Sequence, residues 1–212
     1  MNEQEHLNTL SEIKQLMERS SRFLSLSGLS SVCIGVYALL GAFAGWWYLS
    51  THSIDLNSFY KPIYDSYGNQ SLDHIAFLMT DALLVLMLSL ISSFVLTKRL
   101  ASKQGLSSWD QPARRMLLDL LIPLLTGGLY CLILLKQQRI EWIASAMLLF
   151  YGLSLINASH HTRNEIRQLG LLEITLGLFA ALFPGHGISF WVVGFGVLHI
   201  IYGIRLYYTY ER

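Results

Sequence analysis

Glu173 and His199 are the two residues whose types and spacing most clearly permit chemistry. They lie in two apolar stretches on either side of the turn formed by residues 184–187, Pro-Gly-His-Gly. In an antiparallel helical hairpin, residues equally far from the turn lie at the same depth, and this turn contains the midpoint of the pair. A histidine beside a carboxylate can exchange a proton near neutral pH. The pair is interpreted either as a hydrogen bond that holds the hairpin together or as a proton-binding site.

Three further polar residues interrupt apolar stretches and complete the set of candidate site residues: Asp81, Asp119 and Asn157. Ionisable groups are costly inside a membrane, so each is a functional candidate. Asp119 lies close to Arg114 and Arg115, and an ion pair at helical spacing is its simplest explanation. Asp81 stands apart from the other candidates, because it is expected nearer the outer side of the membrane.

The sequence lacks the residues that several common kinds of functional site require. His160 and His161 are adjacent, so they would not face one metal ion on a helix, and no acidic or thiol ligand is spaced to join them. Cys33 and Cys131 lie in apolar stretches at different depths, which predicts free thiols rather than a disulfide. With no nucleophile–base set and no phosphate-binding loop, we expect no metal and no cofactor, and we lean against an enzyme.

The composition predicts the fold class. Hydrophobic residues make up 53% of the chain and charged residues only 14%, whereas soluble domains carry about 25% charged residues. Apolar stretches of about 20 residues are long enough to cross a bilayer. The net charge of +1 excludes a strongly basic nucleic-acid interface. We predict an all-α polytopic bundle with the lipid bilayer as its main partner. Its six transmembrane helices are expected at residues 23–49, 74–97, 116–135, 142–158, 168–184 and 188–208.

The first 22 residues form a separate predicted element. Leu10, Ile13 and Met17 recur at helical spacing among charged residues, which indicates an amphipathic helix on the cytoplasmic membrane surface. A docking surface for a soluble partner is the alternative. The basic connector between the second and third spans, Lys98 to Arg115, is a second candidate for such a partner. Gly41 and Gly45 make a GxxxG motif, which is compatible with a homo-oligomer or with packing inside one chain.

The distribution of basic residues predicts the orientation. If six spans begin from a cytoplasmic N-terminus, twelve of the fifteen lysines and arginines fall on the cytoplasmic side. Only Lys61, Lys136 and Arg139 fall outside. This bias follows the positive-inside rule, so both termini are expected in the cytoplasm.

The first and fifth spans share a spacing of small residues. Gly28, Gly35 and Ala38 correspond to Gly170, Gly177 and Ala180 at a constant offset of 142 residues. Both spans would cross the membrane in the same direction. The pattern indicates either a parallel internal repeat, as some transporters have, or the chance recurrence of small residues.

The last hairpin resembles the two-helix repeat of HdeD-type bacterial inner-membrane proteins. The likeness rests on Gly170-Leu171, the run Gly177-Leu178-Phe179-Ala180, Pro184-Gly185 and Gly203-Ile204. The whole chain is also similar to uncharacterised six-span bacterial membrane proteins with a comparable N-terminal run. These resemblances imply a bacterial inner-membrane location, six spans and a link to acid or general stress.

Two functional hypotheses follow. The first is a non-enzymatic membrane component, stress-linked or sensory, that binds a partner at its cytoplasmic face. The second is a small transporter or channel that uses the glutamate–histidine site. Few ionisable groups are present and they form no continuous path, which favours the first hypothesis.

Overall fold

The structure is a computed structural model that describes residues 27–52, 68–105, 109–137 and 139–212, and of residues 68–72 only the backbone. The predicted amphipathic helix at 1–22, with its partner surface, lies outside these residues. The described residues form helices and turns without strands. The long helices are α1 Gly28–Thr51, α2 Gly68–Lys103, α3 Gln111–Lys136, α4 Ile143–Ser159, α5 Asn164–Leu182 and α6 Gly187–Tyr210.

Five of these helices, α1 to α4 and α6, are long and apolar enough to cross a membrane, counted over the described part of the chain. The count for α4 includes a short 3₁₀ turn, Ile140–Trp142, that leads into it. The remaining long helix, α5, is not among these five and carries three charged residues, Glu165, Arg167 and Glu173. The chain is therefore an all-helical protein with the features of a membrane protein.

Local signals explain where several helices begin and end. Asp110 caps α3 by accepting a hydrogen bond from the Ala113 amide at 2.9 Å, and a proline occupies the first turn. The carboxylate of Glu211, beyond the end of α6, accepts hydrogen bonds from the Gly28 amide and from the Ser27 hydroxyl at the start of α1. Gly185 has a φ of 100° in the turn between α5 and α6, a conformation that glycine adopts without strain.

The basic connector is shorter than the sequence indicated. α2 continues to Lys103, and α3 begins at Gln111. The basic residues of this region therefore lie on two helix ends rather than on one linker. All of them are exposed: Lys98, Arg99, Lys103, Arg114 and Arg115.

The helices pack around two closely similar contacts. Antiparallel α1 and α6 meet where a Cβ atom on Gly28 would lie 2.5 Å from the carbonyl oxygen of Gly203. Antiparallel α4 and α5 meet in the same way, because a Cβ atom on Gly170 would lie 2.7 Å from the carbonyl oxygen of Gly152. Only glycine permits backbones to approach this closely. The repeated small residues of α1 and α5 thus occupy equivalent positions.

The outer helices α2 and α3 each pack along one side. α2 packs on α1, where Gly41 and Gly45 face Val85 and Leu78, so the GxxxG motif serves packing within the chain. α3 packs on α4. Their opposite faces are apolar and exposed, as shown by Phe94 at 63% and Ile122 at 66%, which suits contact with lipid. The larger described hydrophobic cluster lies between α4, α5 and α6 and consists of Leu155, Ile166, Leu169, Tyr202 and Leu206, and a smaller one surrounds Leu49 of α1.

Candidate functional site

Glu173 and His199 lie together in the interior of the bundle. Their exposed fractions are 0% and 1%, and the Glu173 Oε1 atom is 3.5 Å from the His199 Nδ1 atom. Neither side chain faces lipid, as expected from the cost of placing an ionisable group there. The predicted proximity of these two residues is therefore confirmed.

The contact is not the satisfied hydrogen bond that the sequence suggested. The His199 Nδ1 atom is 3.0 Å from the carbonyl oxygen of Gly194. Because a carbonyl only accepts, this nitrogen carries the hydrogen and donates it to Gly194. Within the described part of the chain, neither carboxylate oxygen of Glu173 has a hydrogen-bond partner. The separation of 3.5 Å fits an electrostatic contact, but the histidine hydrogen is already directed elsewhere.

Tyr151 of α4 completes the site. Its hydroxyl lies 2.8 Å from the His199 Nε2 atom. In the neutral ring, Nε2 accepts a hydrogen bond from this hydroxyl, since Nδ1 carries the ring hydrogen. A protonated ring would reverse the bond and donate to the tyrosine oxygen. The direction of one buried hydrogen bond therefore depends on the protonation state of His199.

The backbone of α6 is irregular at this point. Residues Val192–Leu198 form a π-helical segment between two α-helical turns, an arrangement often found at functional sites. It contains Gly194, whose carbonyl oxygen receives the His199 hydrogen. A Cβ atom at Gly194 would lie 2.5 Å from the Glu173 Oε2 atom. Glycine is therefore required for the carboxylate to pack against α6.

The site is also linked to α1. Ser31 donates a hydrogen bond from its hydroxyl to the carbonyl oxygen of His199 at 2.9 Å. Aromatic rings cover the other side of the imidazole, because Phe195 stacks on His199 with an interplanar angle of 13°. Four helices thus contribute to one site, which we call the Glu173 cluster: Ser31, Tyr151, Glu173, Gly194 and His199.

No protein-family model, curated protein or solved structure matches the chain. The geometry of the site is therefore the main evidence on function.

The other predicted site residues lie away from the Glu173 cluster. Asp81 of α2 packs against Gly41 of α1, and Asn157 is exposed on α4. Asp119 of α3 accepts a hydrogen bond from His161 at 2.9 Å. The structure thus brings together two of the five candidates and leaves the other three at separate positions.

The expected ion pair of Asp119 with Arg114 or Arg115 is wrong. The partner of Asp119 is His161, which lies in the turn between α4 and α5. Arg114 instead covers the ring of Trp109, with its guanidinium carbon 5.8 Å from the ring centroid. Asp119 pairs with His161 of another helix connection, whose side chain is less exposed than those of Arg114 and Arg115 on its own helix. The two cysteines are free, as predicted.

Sequence reasoning missed Tyr151, although the sequence holds a signal for it. Residues 151–155 read Tyr-Gly-Leu-Ser-Leu, and residues 202–206 read Tyr-Gly-Ile-Arg-Leu. The glycines of these two runs make the matching contacts with α5 and α1. At the same offset, the counterpart of His199 is Leu148. The polar cluster therefore departs from an otherwise apolar repeated pattern.

Proposed function

We propose that the protein is a six-span bacterial inner-membrane protein with both termini in the cytoplasm, and that it acts as a non-enzymatic, stress-linked sensory component. In this proposal the Glu173 cluster binds a proton, and its protonation state sets the packing of α4, α5 and α6. The five apolar helices support the membrane assignment. The glycine contact of α5 with α4 supports α5 as the sixth span, since it holds α5 alongside an apolar helix.

The observation that carries the proposal is the complete burial of a carboxyl group that makes no hydrogen bond to any described residue. Glu173 has an exposed fraction of 0%, and neither of its oxygens accepts a hydrogen bond from a residue that the structure describes. An unpaired charge in such a place costs several kcal/mol. Binding a proton removes that charge, whereas losing it forces the surrounding groups to rearrange. The site can therefore exist in two states, one with Glu173 neutral and one with Glu173 charged, and the two states favour different packing.

The neighbouring backbone supplies an element that can respond. A π-helical hydrogen bond spans one residue more than an α-helical one, and a change between the two shifts the register of the helix. The segment Val192–Leu198 carries the Gly194 carbonyl against Glu173 and precedes His199, whose own carbonyl is bonded to Ser31. A change at Glu173 would reach α1 through this path.

Infrared difference spectroscopy at two pH values tests proton binding directly. We expect a carboxyl carbonyl band that changes with pH in the wild-type protein and is absent in Glu173→Gln. Asp81→Asn is the matched control because Asp81 is a half-buried carboxyl group in another interface. The proposal fails if the spectra of wild type and Glu173→Gln show the same carboxyl bands at every pH.

A transporter is the second candidate function, and the buried carboxyl group of Glu173 beside His199 is the observation that favours it. In proteoliposomes, a transporter would move protons in the wild type and lose this flux in Glu173→Gln. A sensor would show the infrared change without the flux. We favour the sensor because the two carboxyl groups pack at different helix contacts, Asp81 against Gly41 of α1 and Glu173 against Gly194 of α6, and so form no continuous polar path.

We infer a protein partner at the cytoplasmic face as the receiver of the signal. The exposed basic ends of α2 and α3 support this inference because they offer charge at one end of the bundle. A homo-oligomer is a further proposal, for which the exposed apolar faces of α2 and α3 provide surface. Cross-linking in native membranes, with Lys103→Glu as the test variant, would identify either kind of partner.

A further inference from the structure

A second polar cluster lies where α1 ends and α2 begins, away from Glu173. Its centre is Tyr48, whose ring stacks on Phe77 with the centroids 3.8 Å apart and the planes at 10°. His52 follows the end of α1, and His74 lies near the start of α2. Their ring centroids are 5.4 Å apart. Two histidines from different helices are therefore held next to one another by one tyrosine.

Tyr48 orients both imidazole rings through the same type of nitrogen atom. The His52 Nδ1 atom donates to the carbonyl oxygen of Tyr48 at 2.8 Å, and it also lies 3.4 Å from the Thr51 hydroxyl. The His74 Nδ1 atom lies 3.1 Å from the Tyr48 hydroxyl. Among the described residues, no hydrogen bond to the Nε2 atom of either ring is present. The neutral His52 ring therefore offers its Nε2 lone pair. The His74 ring offers the same lone pair when its Nδ1 atom donates to the Tyr48 hydroxyl oxygen.

The bonds through Nδ1 are of a kind that metal-binding histidines use. Such a histidine usually hydrogen-bonds through one ring nitrogen to a carbonyl or another oxygen, and this bond orients the other nitrogen towards the metal. Metal–nitrogen bonds of about 2.0–2.1 Å in tetrahedral geometry place the centroids of two bound imidazoles about 5 Å apart. The observed separation of 5.4 Å is close to this value.

We propose that His52 and His74 form a binding site for a divalent transition metal ion of the Zn²⁺, Ni²⁺ or Cu²⁺ class. Imidazole ligands favour these ions over Mg²⁺ and Ca²⁺, which take oxygen ligands. His52 is exposed and His74 is half-buried, so solvent reaches the site and water completes the coordination. No group of three metal-ligating side chains occurs among the described residues, which predicts a moderate affinity.

Metal binding at this site would join the end of α1 to the start of α2. A ligand that binds the folded state alone raises its stability in proportion to ligand concentration and affinity. Zn²⁺ is therefore expected to raise the thermal unfolding temperature of the protein. Mg²⁺ at the same concentration is expected to have no such effect.

The test uses the full chain, purified in detergent with a tag that contains no histidine, and calorimetric titration with ZnCl₂ and NiCl₂. We expect His52→Gln and His74→Gln each to weaken binding by about tenfold or more and to abolish the zinc-dependent thermal shift. His186→Gln is the matched control, since His186 is exposed in the turn between α5 and α6 at the same end of the bundle. The double variant His52→Gln, His74→Gln measures the background from the other histidines.

Electron paramagnetic resonance of the Cu²⁺-loaded protein gives a second readout that does not depend on stability. Two coordinated imidazole nitrogens are expected in the wild type and one in each single variant. The proposal is overturned if both single variants bind as the wild type does, if His186→Gln weakens binding equally, or if Mg²⁺ competes with Zn²⁺.

Discussion

The Glu173 carboxylate and the His199 imidazole lie 3.5 Å apart, Oε1 to Nδ1, although the histidine hydrogen is directed to the Gly194 carbonyl. The two groups are therefore coupled by proximity, while each has a different hydrogen-bonding situation. The histidine has a hydrogen-bond partner for both ring nitrogens, whereas the glutamate has no hydrogen bond to a described residue. This asymmetry leads to different expectations for the two side chains.

Replacing His199 is expected to be more damaging than replacing Glu173. His199→Gln should lower the free energy of unfolding by about 1–3 kcal/mol, because it leaves the Tyr151 hydroxyl or the Gly194 carbonyl without a partner. Glu173→Gln keeps the size of the side chain and breaks no hydrogen bond to a described residue, so its cost should be smaller. Thermal unfolding in detergent measures both. The double variant should differ from the sum by about 0.5 kcal/mol or more, and strictly additive costs would contradict the coupling.

The hydroxyl of Tyr151 can be tested separately. Tyr151→Phe removes one buried hydrogen bond to His199 and should lower stability by about 1 kcal/mol. Tyr202→Phe is the matched control, because Tyr202 occupies the equivalent position in α6 and its hydroxyl has no hydrogen bond to a described residue. Equal effects of the two substitutions on the unfolding temperature would show that the hydrogen bond to His199 makes no measurable contribution to stability.

The glycine contact between α4 and α5 should be intolerant of a methyl group. In Gly152→Ala, the new Cβ atom would lie 2.6 Å from the carbonyl oxygen of Gly170, and the helices would have to separate at a cost of about 1–3 kcal/mol or more. Gly128→Ala is the control, since nothing lies within 4 Å of a Cβ atom there. This control should be neutral or stabilising by up to about 1 kcal/mol. A similar result for both variants would contradict the close contact.

The topology prediction concerns the number of spans. With six spans and a cytoplasmic N-terminus, residue Tyr67 lies outside the cytoplasm and Arg212 inside it. Reporter fusions placed after these two residues should therefore show activities typical of opposite sides of the membrane. Activity from the same side would mean an even number of crossings between them, instead of the five expected, and would exclude the six-span arrangement.

The positions of the helices could be derived from the sequence because they depend on local properties. Helix α6 was expected at 188–208 and spans Gly187–Tyr210, since an apolar stretch of this length, preceded by a Pro-Gly turn, forms a helix. The equal depth of Glu173 and His199 also followed from counting residues on either side of that turn. Asp119 shows the limit of this approach: its predicted partner was on its own helix, and its actual partner is on another.

Which side chains face each other was decided by the tertiary structure. Each residue advances an α-helix by about 100°, so the added residue of the π-helical segment Val192–Leu198 changes the direction in which His199 points. The composition of that segment does not reveal the irregularity. The glycine contacts then set how closely α4, α5 and α6 approach, and this brings Tyr151 to His199 while Asn157 stays exposed. Depth along a helix is a property of the sequence, whereas rotation about its axis depends on the packing of its neighbours.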